Sequence, residues 1–453
     1  MISEPSLKPS CSCYCFWASR VQLPLVTFIF ALSFMTRSRY FLLILILGSL
    51  STISPFSIDM YLPGFPAIAK EFNISISQVQ FSLTAYLIGI AMGQLLYGPL
   101  LDRFGRKKPL YIGLFIYIIS SVGCAYSYSM ESLVLMRFLQ ALGGCVGMVA
   151  SQALVRDLFP ARKVRDLFPA RKIAQAFSSI ILVIAISPMI APTVGGYFTV
   201  AFGWHSVFVA LATVTFLILL ATYFLLPEGK PADPAISLQP RAILSNFYLV
   251  LKQPQFIMYA IAGGIAMSAP FAYIAASADV FLNLFHATEQ QYGWIFAFIA
   301  SAMIGSAQFN HLLLKKFTSQ QLVKFALRYQ VIAGAIMVAG IVLGWFNMIG
   351  LTIAIFFFML GQGLTGPNSS ALALAPFTKH AGSAASLLGS FRMLVGGIIT
   401  AIVSALHNGT PLPMVLGMWL SVVVAILLLT SVKVVIRYRA RKRMVKDEPA
   451  VLL

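Results

Sequence analysis

Apolar residues run along this chain in unbroken stretches of about twenty, divided by short polar connections, and they do not alternate with period two. The runs lie at approximately 40–60, 79–99, 109–127, 132–155, 173–199, 205–226, 255–278, 291–313, 322–345, 348–374, 382–406 and 413–436. About twenty helical residues cross roughly 30 Å of hydrocarbon. A helix satisfies its own backbone hydrogen bonds there, whereas barrel strands would read as alternation. The pattern therefore predicts an all-α integral membrane protein with twelve transmembrane helices.

The longest polar connection between spans, Glu228 to Pro254, leaves six spans on either side. That division predicts two pseudo-symmetric six-helix bundles, at 35–227 and 255–436, with a linker at 228–254 and a basic tail at 437–453. Pro55-Phe56 before Asp59 in span 1 is faintly echoed by Pro270-Phe271 before Asp279 in span 7. Residues 1–34 contain an apolar stretch, Leu23 to Phe34, too short to span, which leads into Met35-Thr-Arg-Ser-Arg39. The expectation is that translation begins at Met35 and that 1–34 is an extension outside the fold. A second repeat is short and perfect. Val155-Arg-Asp-Leu-Phe-Pro-Ala-Arg-Lys163 is followed at once by an identical copy ending at Lys172, in a connection where insertions cost little closure entropy.

Composition agrees: 59% of residues are hydrophobic, 10% are charged and mean hydropathy is +0.88, well above a soluble globule. The net charge of +19 would point to nucleic acid in a soluble protein. Here the bases collect in alternate connections: Arg37 and Arg39, Arg103 to Lys108, Arg156 to Lys172, Lys230 to Lys252, Lys315 to Lys324, Lys379, and Lys433 to Lys446. The opposite connections carry Lys70 alone. By the positive-inside rule both termini face the cytoplasm, and no nucleic-acid partner is implied. The five cysteines form no disulfide framework.

Ionisable groups inside spans are costly and are functional candidates by default. Asp59 ends span 1, at the negative pole of the helix dipole, where a carboxylate is suited to take up and release a proton; a solvated acid in an outer vestibule is the other reading. Arg137 lies five residues into span 4, at a similar depth, and needs an anion, either as a fixed structural pair or as part of a proton switch. Between spans 2 and 3, Gly98, Asp102, Arg103, Gly105, Arg106 and Lys107 form a glycine-bounded charged loop, read as a latch that pairs when the cytoplasmic side closes. Span 5 holds Pro188, Pro192, Gly195 and Gly196, which bend a helix and allow close packing. Gln140, Tyr273, Gln362, Asn368 and the deep Arg392 are candidates for a substrate cavity, the amides equally for interhelical hydrogen bonds. No nucleotide-binding loop or metal-spaced His pair appears, so no cofactor and no enzymatic reaction is expected, and the energy source is a gradient.

Asp59-Met-Tyr-Leu-Pro63, Gly98 to Lys107, Arg137-x-x-Gln140, Ala191-Pro-x-x-Gly195-Gly196, Trp204-His-Ser-Val-Phe208 and Ala381-Gly-Ser-Ala-Ala-Ser386 together resemble the bicyclomycin/chloramphenicol-resistance subfamily of the major facilitator drug/proton antiporters, from about Met35 onward. The resemblance implies proton-coupled export of drugs through the bacterial inner membrane by rocking of two six-helix halves. It implies that Asp59 and Arg137 are the proton-linked pair, and that the span 5 motif marks antiporters. Ala141, Ser187 and Ala191 depart from glycines in the family pattern. Expected partners are a small-molecule substrate, protons and the lipid bilayer, with the chain acting as a monomer. A proton-coupled metabolite transporter, such as an amino-acid exporter, shares most of these features.

Overall fold

The computed structural model describes residues 37–158, 171–234, 237–377 and 381–447. The extension at 1–34, most of the tandem repeat and the end of the basic tail lie outside the described residues. Packing separates Met1–Leu45 from Ile46–Leu453; of the former, the described part is the opening of the first helix.

The first half of the chain runs α1 (Arg37–Asp59), a 3-10 turn (Leu62–Gly64), α2 (Phe65–Phe72), α3 (Ile76–Arg103), α4 (Lys107–Ala125), α5 (Met130–Leu158), α6 (Arg171–Phe202) and α7 (His205–Leu225). A linker helix α8 (Pro240–Leu251) follows, then α9 (Pro254–Ala266), α10 (Ala269–Ala278), α11 (Glu289–Leu313), α12 (Ser319–Val342), α13 (Met348–Leu374), α14 (Ala381–Ala405) and α15 (Leu412–Asp447). Among the described residues, eleven helical segments are long and apolar enough to cross a membrane, and the apolar part of α6, Ile186–Phe202, is a shorter twelfth.

Helix ends depart from the apolar runs for local reasons. α3 continues through Pro99 to Arg103. α11 and α12 begin two or three residues before their apolar runs because Thr288 and Thr318 cap them: each hydroxyl accepts from the backbone N–H three residues on, at 3.2 and 3.3 Å, and Gln291 and Gln321 return the bond. Span 7 is broken. α9 stops at Ala266, Ser268 donates to the Ile265 carbonyl at 2.6 Å, and α10 restarts with Pro270 in its first turn, where a missing N–H costs nothing.

The helices pack in a pattern that repeats. α3 packs on α5, α5 on α4 and α4 on α7; in the second half α11 packs on α13, α13 on α12 and α12 on α15. Shifting the first set by six spans gives the second. The same exchange relates the two large contacts between halves, α3 with α14 and α6 with α11. Close approach depends on small residues: Gly147 of α5 sits against the Leu50 carbonyl of α1 with no room for a Cβ. Large apolar side chains such as Phe115, Phe224, Trp294 and Ile332 point outward, where lipid is the solvent.

Candidate functional site

Arg137 is fully buried, at 0% exposure, and the first half is arranged around it. Its guanidinium donates to Gln140 Oε1 at 2.7 Å, within α5, and to the Ser57 carbonyl of α1 at 3.1 Å. Gln140 in turn donates to Ser121 Oγ of α4 at 2.7 Å. Aromatic rings complete the box: the guanidinium carbon lies 4.1 Å from the centroid of Tyr86, 4.5 Å from Tyr61 and 5.7 Å from Phe208. Tyr61 is fixed by a 2.9 Å hydrogen bond with Ser82 and by edge contact with Phe65. The anion expected beside Arg137 is thus replaced by ring faces, whose quadrupoles hold a desolvated cation, and by two neutral oxygens.

Asp59 stands two residues beyond Ser57, whose carbonyl Arg137 holds. It is 4% exposed, so the solvated-vestibule reading does not describe it. Among the described residues it makes no hydrogen bond or ion pair, yet it is close enough for its charge to act on Tyr273 and Tyr292 of the second half. The Tyr273 hydroxyl is buried without a partner, whereas Tyr292 bonds Ser277 at 2.9 Å. The carboxyl group therefore sits at the junction of the halves. α6 packs on the same turn: Gly195 leaves no space for a Cβ against the Met60 carbonyl, and Gly196 lies against the Glu289 carbonyl of α11. Pro188 and Pro192 lie within α6, and Ala191 is fully buried.

At the end of the molecule that carries the basic loops, Arg106 links two acids. It bonds Asp102 at 2.7 Å, one helical turn back, and Asp157 at 2.7 Å, at the end of α5. Burial opposes its charge, but the hydrogen bonds and charges of Asp157 and Asp102 outweigh this and hold its pKa above the ordinary value. Asp102 thus pairs within its own loop, not with the second half. The contact across the halves here comes instead from Gly98 against Ser386 and Gln94 against Gly389, both on α14. Gly105 takes a φ of +81°, which lets the loop turn between α3 and α4, and Lys107 opens α4. The start of the linker closes over this cluster: Lys230 N–H donates to Asp157 at 3.0 Å, Asp233 N–H to the Asp102 carbonyl at 3.3 Å, and Arg103 to the Pro234 carbonyl at 3.4 Å.

A family model described as Major Facilitator Superfamily matches residues 47–401. The chain belongs to the Major Facilitator Superfamily. Among its superfamily relatives, a bicyclomycin resistance protein homolog of Haemophilus influenzae is 32% identical over 389 residues, covering 85% of this chain and 95% of that protein. A chloramphenicol resistance protein of Pseudomonas aeruginosa is 27% identical over 380 residues, covering 82% and 86%. The crystal structure of a D-xylose-proton symporter superposes with a TM-score of 0.66 at 16% identity, covering 87% of this chain and 97% of that one, and so shows the shared fold. The protein is a multi-pass membrane transporter of this superfamily.

In this major facilitator fold the remaining candidates separate. Gln140 belongs to the Arg137 box. Gln362, Asn368 and Arg392 gather in the second half, between α9, α11, α13 and α14. Gln362 donates to the Ala266 carbonyl at 2.9 Å, and Asn368 to Asn310 of α11 at 2.6 Å, so these amides are interhelical partners. Arg392 reaches from α14 to the Gly366 carbonyl at 3.4 Å and Ser369 Oγ at 3.2 Å on α13. Sequence reasoning missed Asp157, and missed the rings of Tyr61, Tyr86 and Phe208. A carboxylate just past the end of an apolar run was the available signal for the first; Tyr61 and Phe208 stand in the motifs that carry the family resemblance, and nothing local marked Tyr86.

Proposed function

We propose that this protein is a proton-coupled antiporter that exports amphipathic drugs across the bacterial inner membrane by alternating access, with both termini in the cytoplasm. The observation that carries the reading is Asp59: a buried carboxyl without a partner among the described residues, two residues along the chain from the Ser57 carbonyl that the buried Arg137 holds, at the seam between halves. A carboxylate that is not locked in an ion pair is free to bind a proton in one state and release it in the other. Arg137 stays put and holds span 1 through the Ser57 carbonyl. The drug-resistance names carried by the relatives support the substrate class, and the basic loops support the orientation. One proton moving down 100 mV releases about 2.3 kcal/mol, enough for roughly a fifty-fold gradient of a neutral solute at one-to-one exchange.

The test is drug-induced proton movement in everted membrane vesicles, comparing the parent chain with Asp59→Asn. Chloramphenicol, bicyclomycin or a cationic dye should dissipate the acid interior of parent vesicles and leave the Asp59→Asn vesicles unchanged. Failure of every test solute on the parent chain would remove the drug assignment and direct the search to metabolites, amino acids first.

A further inference from the structure

Two arginines lie deep in the membrane region, and their surroundings differ. Arg137 is enclosed by three rings and makes short bonds to two oxygens. Arg392 lies eleven residues into the 25-residue helix α14, about 16 Å from its start at 1.5 Å per residue and so near mid-membrane depth. Among the described residues its only hydrogen bonds go to two neutral acceptors, at 3.4 and 3.2 Å, from the same terminal nitrogen. Its Nε, like that of Arg137, is buried and has no partner, so the difference lies in the rings and the shorter bonds around Arg137. Among the described residues no ring faces it and no carboxylate pairs with it.

The chain supplies no such carboxylate in this half. Between Pro254 and Arg437 the acids are Asp279 and Glu289. Asp279 pairs with His407 at 3.2 Å, beyond the end of α10, and Glu289 begins α11 beside Gly196. Arg392 is therefore a low-dielectric cation without a counter-ion among the described residues, a costly state unless an anion arrives. The side chain is only partly buried, so it is open to such a group. Its partners on α13 lie on one face with Gln362: positions 362, 366 and 369 are spaced four and three apart. Gln362 spends its amide N–H on the Ala266 carbonyl and leaves Oε1 buried and unpartnered. One face thus offers a cationic fork and, a turn away, a free acceptor.

We infer that Arg392, with Ser369 and Gln362 beside it, is the docking point for the carboxylate of an amphipathic organic anion, so that amphipathic carboxylic acids are among the exported solutes. This rests on the exporter reading for transport, but not for binding. A guanidinium binds a carboxylate through charge-assisted N–H bonds, and Arg392 keeps its second terminal nitrogen, Nη1, out of the bonds to Gly366 and Ser369. Gln362 Oε1 accepts from a hydroxyl or N–H on the same ligand.

The test compares nalidixate with its neutral ethyl ester on the purified full chain, by equilibrium binding, using the parent, Arg392→Gln and Arg392→Lys. The parent should bind the acid at least tenfold more tightly than the ester. Arg392→Gln should lose that preference while keeping ester affinity, and Arg392→Lys should keep part of it. Equal parent affinity for acid and ester, or equal loss of both in Arg392→Gln, would overturn the inference. Should Arg392→Gln fail to fold, the parent comparison and the Lys variant still decide. Preferential acid binding with no proton movement driven by nalidixate or by any of the drugs above would sink the exporter reading and leave the site standing. Drug-driven proton movement without acid preference would do the reverse.

Discussion

Arg137 was legible in the sequence as a buried charge, and its surroundings were not. Tyr61, Tyr86 and Phe208 come from three separate elements, and in a chain with 36 Phe and 17 Tyr no single ring stands out as a neighbour of Arg137. The box makes a specific demand on shape. A planar fork reaches Gln140 and the Ser57 carbonyl while presenting its face to Tyr86, and an ammonium cannot do all three. Arg137→Lys keeps the charge but should cut drug-driven proton exchange more than tenfold and lower the melting temperature, because each orphaned buried partner costs about 1–3 kcal/mol. A Lys variant equal to the parent in both measurements would show that charge alone suffices.

The helices were read closely because apolar length is a strong signal in lipid, yet the points where they touch depend on single small residues. Gly195 shows this: a Cβ there would meet the Met60 carbonyl, backbone that cannot swing away, next to Asp59. Gly195→Ala should push α6 off the Met60 turn, at an overpacking cost of about 1–3 kcal/mol, and reduce exchange as Asp59 shifts. Gly305, on α11, has nothing within 4 Å of a Cβ. Gly305→Ala should be neutral or stabilise the helix by up to about 1 kcal/mol. Thermal melting of the two variants side by side separates a steric contact from helix propensity. The break in span 7 is the element the hydropathy hid: Pro270 sits within a continuous apolar run, and only its effect on the backbone divides α9 from α10.

Across the whole molecule, the six-span shift that relates the packing of the halves was foreseen from the helix count, but the cluster under the linker was not, because Asp157 reads as an ordinary loop acid. Arg106 keeps only 9% side-chain exposure and Asp157 16%, whereas Asp102 keeps 47%. The bond to Asp157 therefore outweighs the exposed i,i+4 pair, worth about 0.3–0.5 kcal/mol, and Asp157 alone also holds the Lys230 amide. Asp157→Ala should speed hydrogen exchange in residues 228–234 at least tenfold, and Asp102→Ala much less, since the Asp102 carbonyl still receives Asp233. The tandem repeat sharpens the case. Its copies are identical, so deleting 155–163 or 164–172 yields the same chain, with one Val-Arg-Asp still following Leu154. That chain keeps an acid for Arg106 at the end of α5. Its linker exchange and its drug-driven proton movement should match the parent's; faster linker exchange on deletion would mean that the doubled loop, and not the Arg106 to Asp157 bond alone, sets how firmly the linker is held.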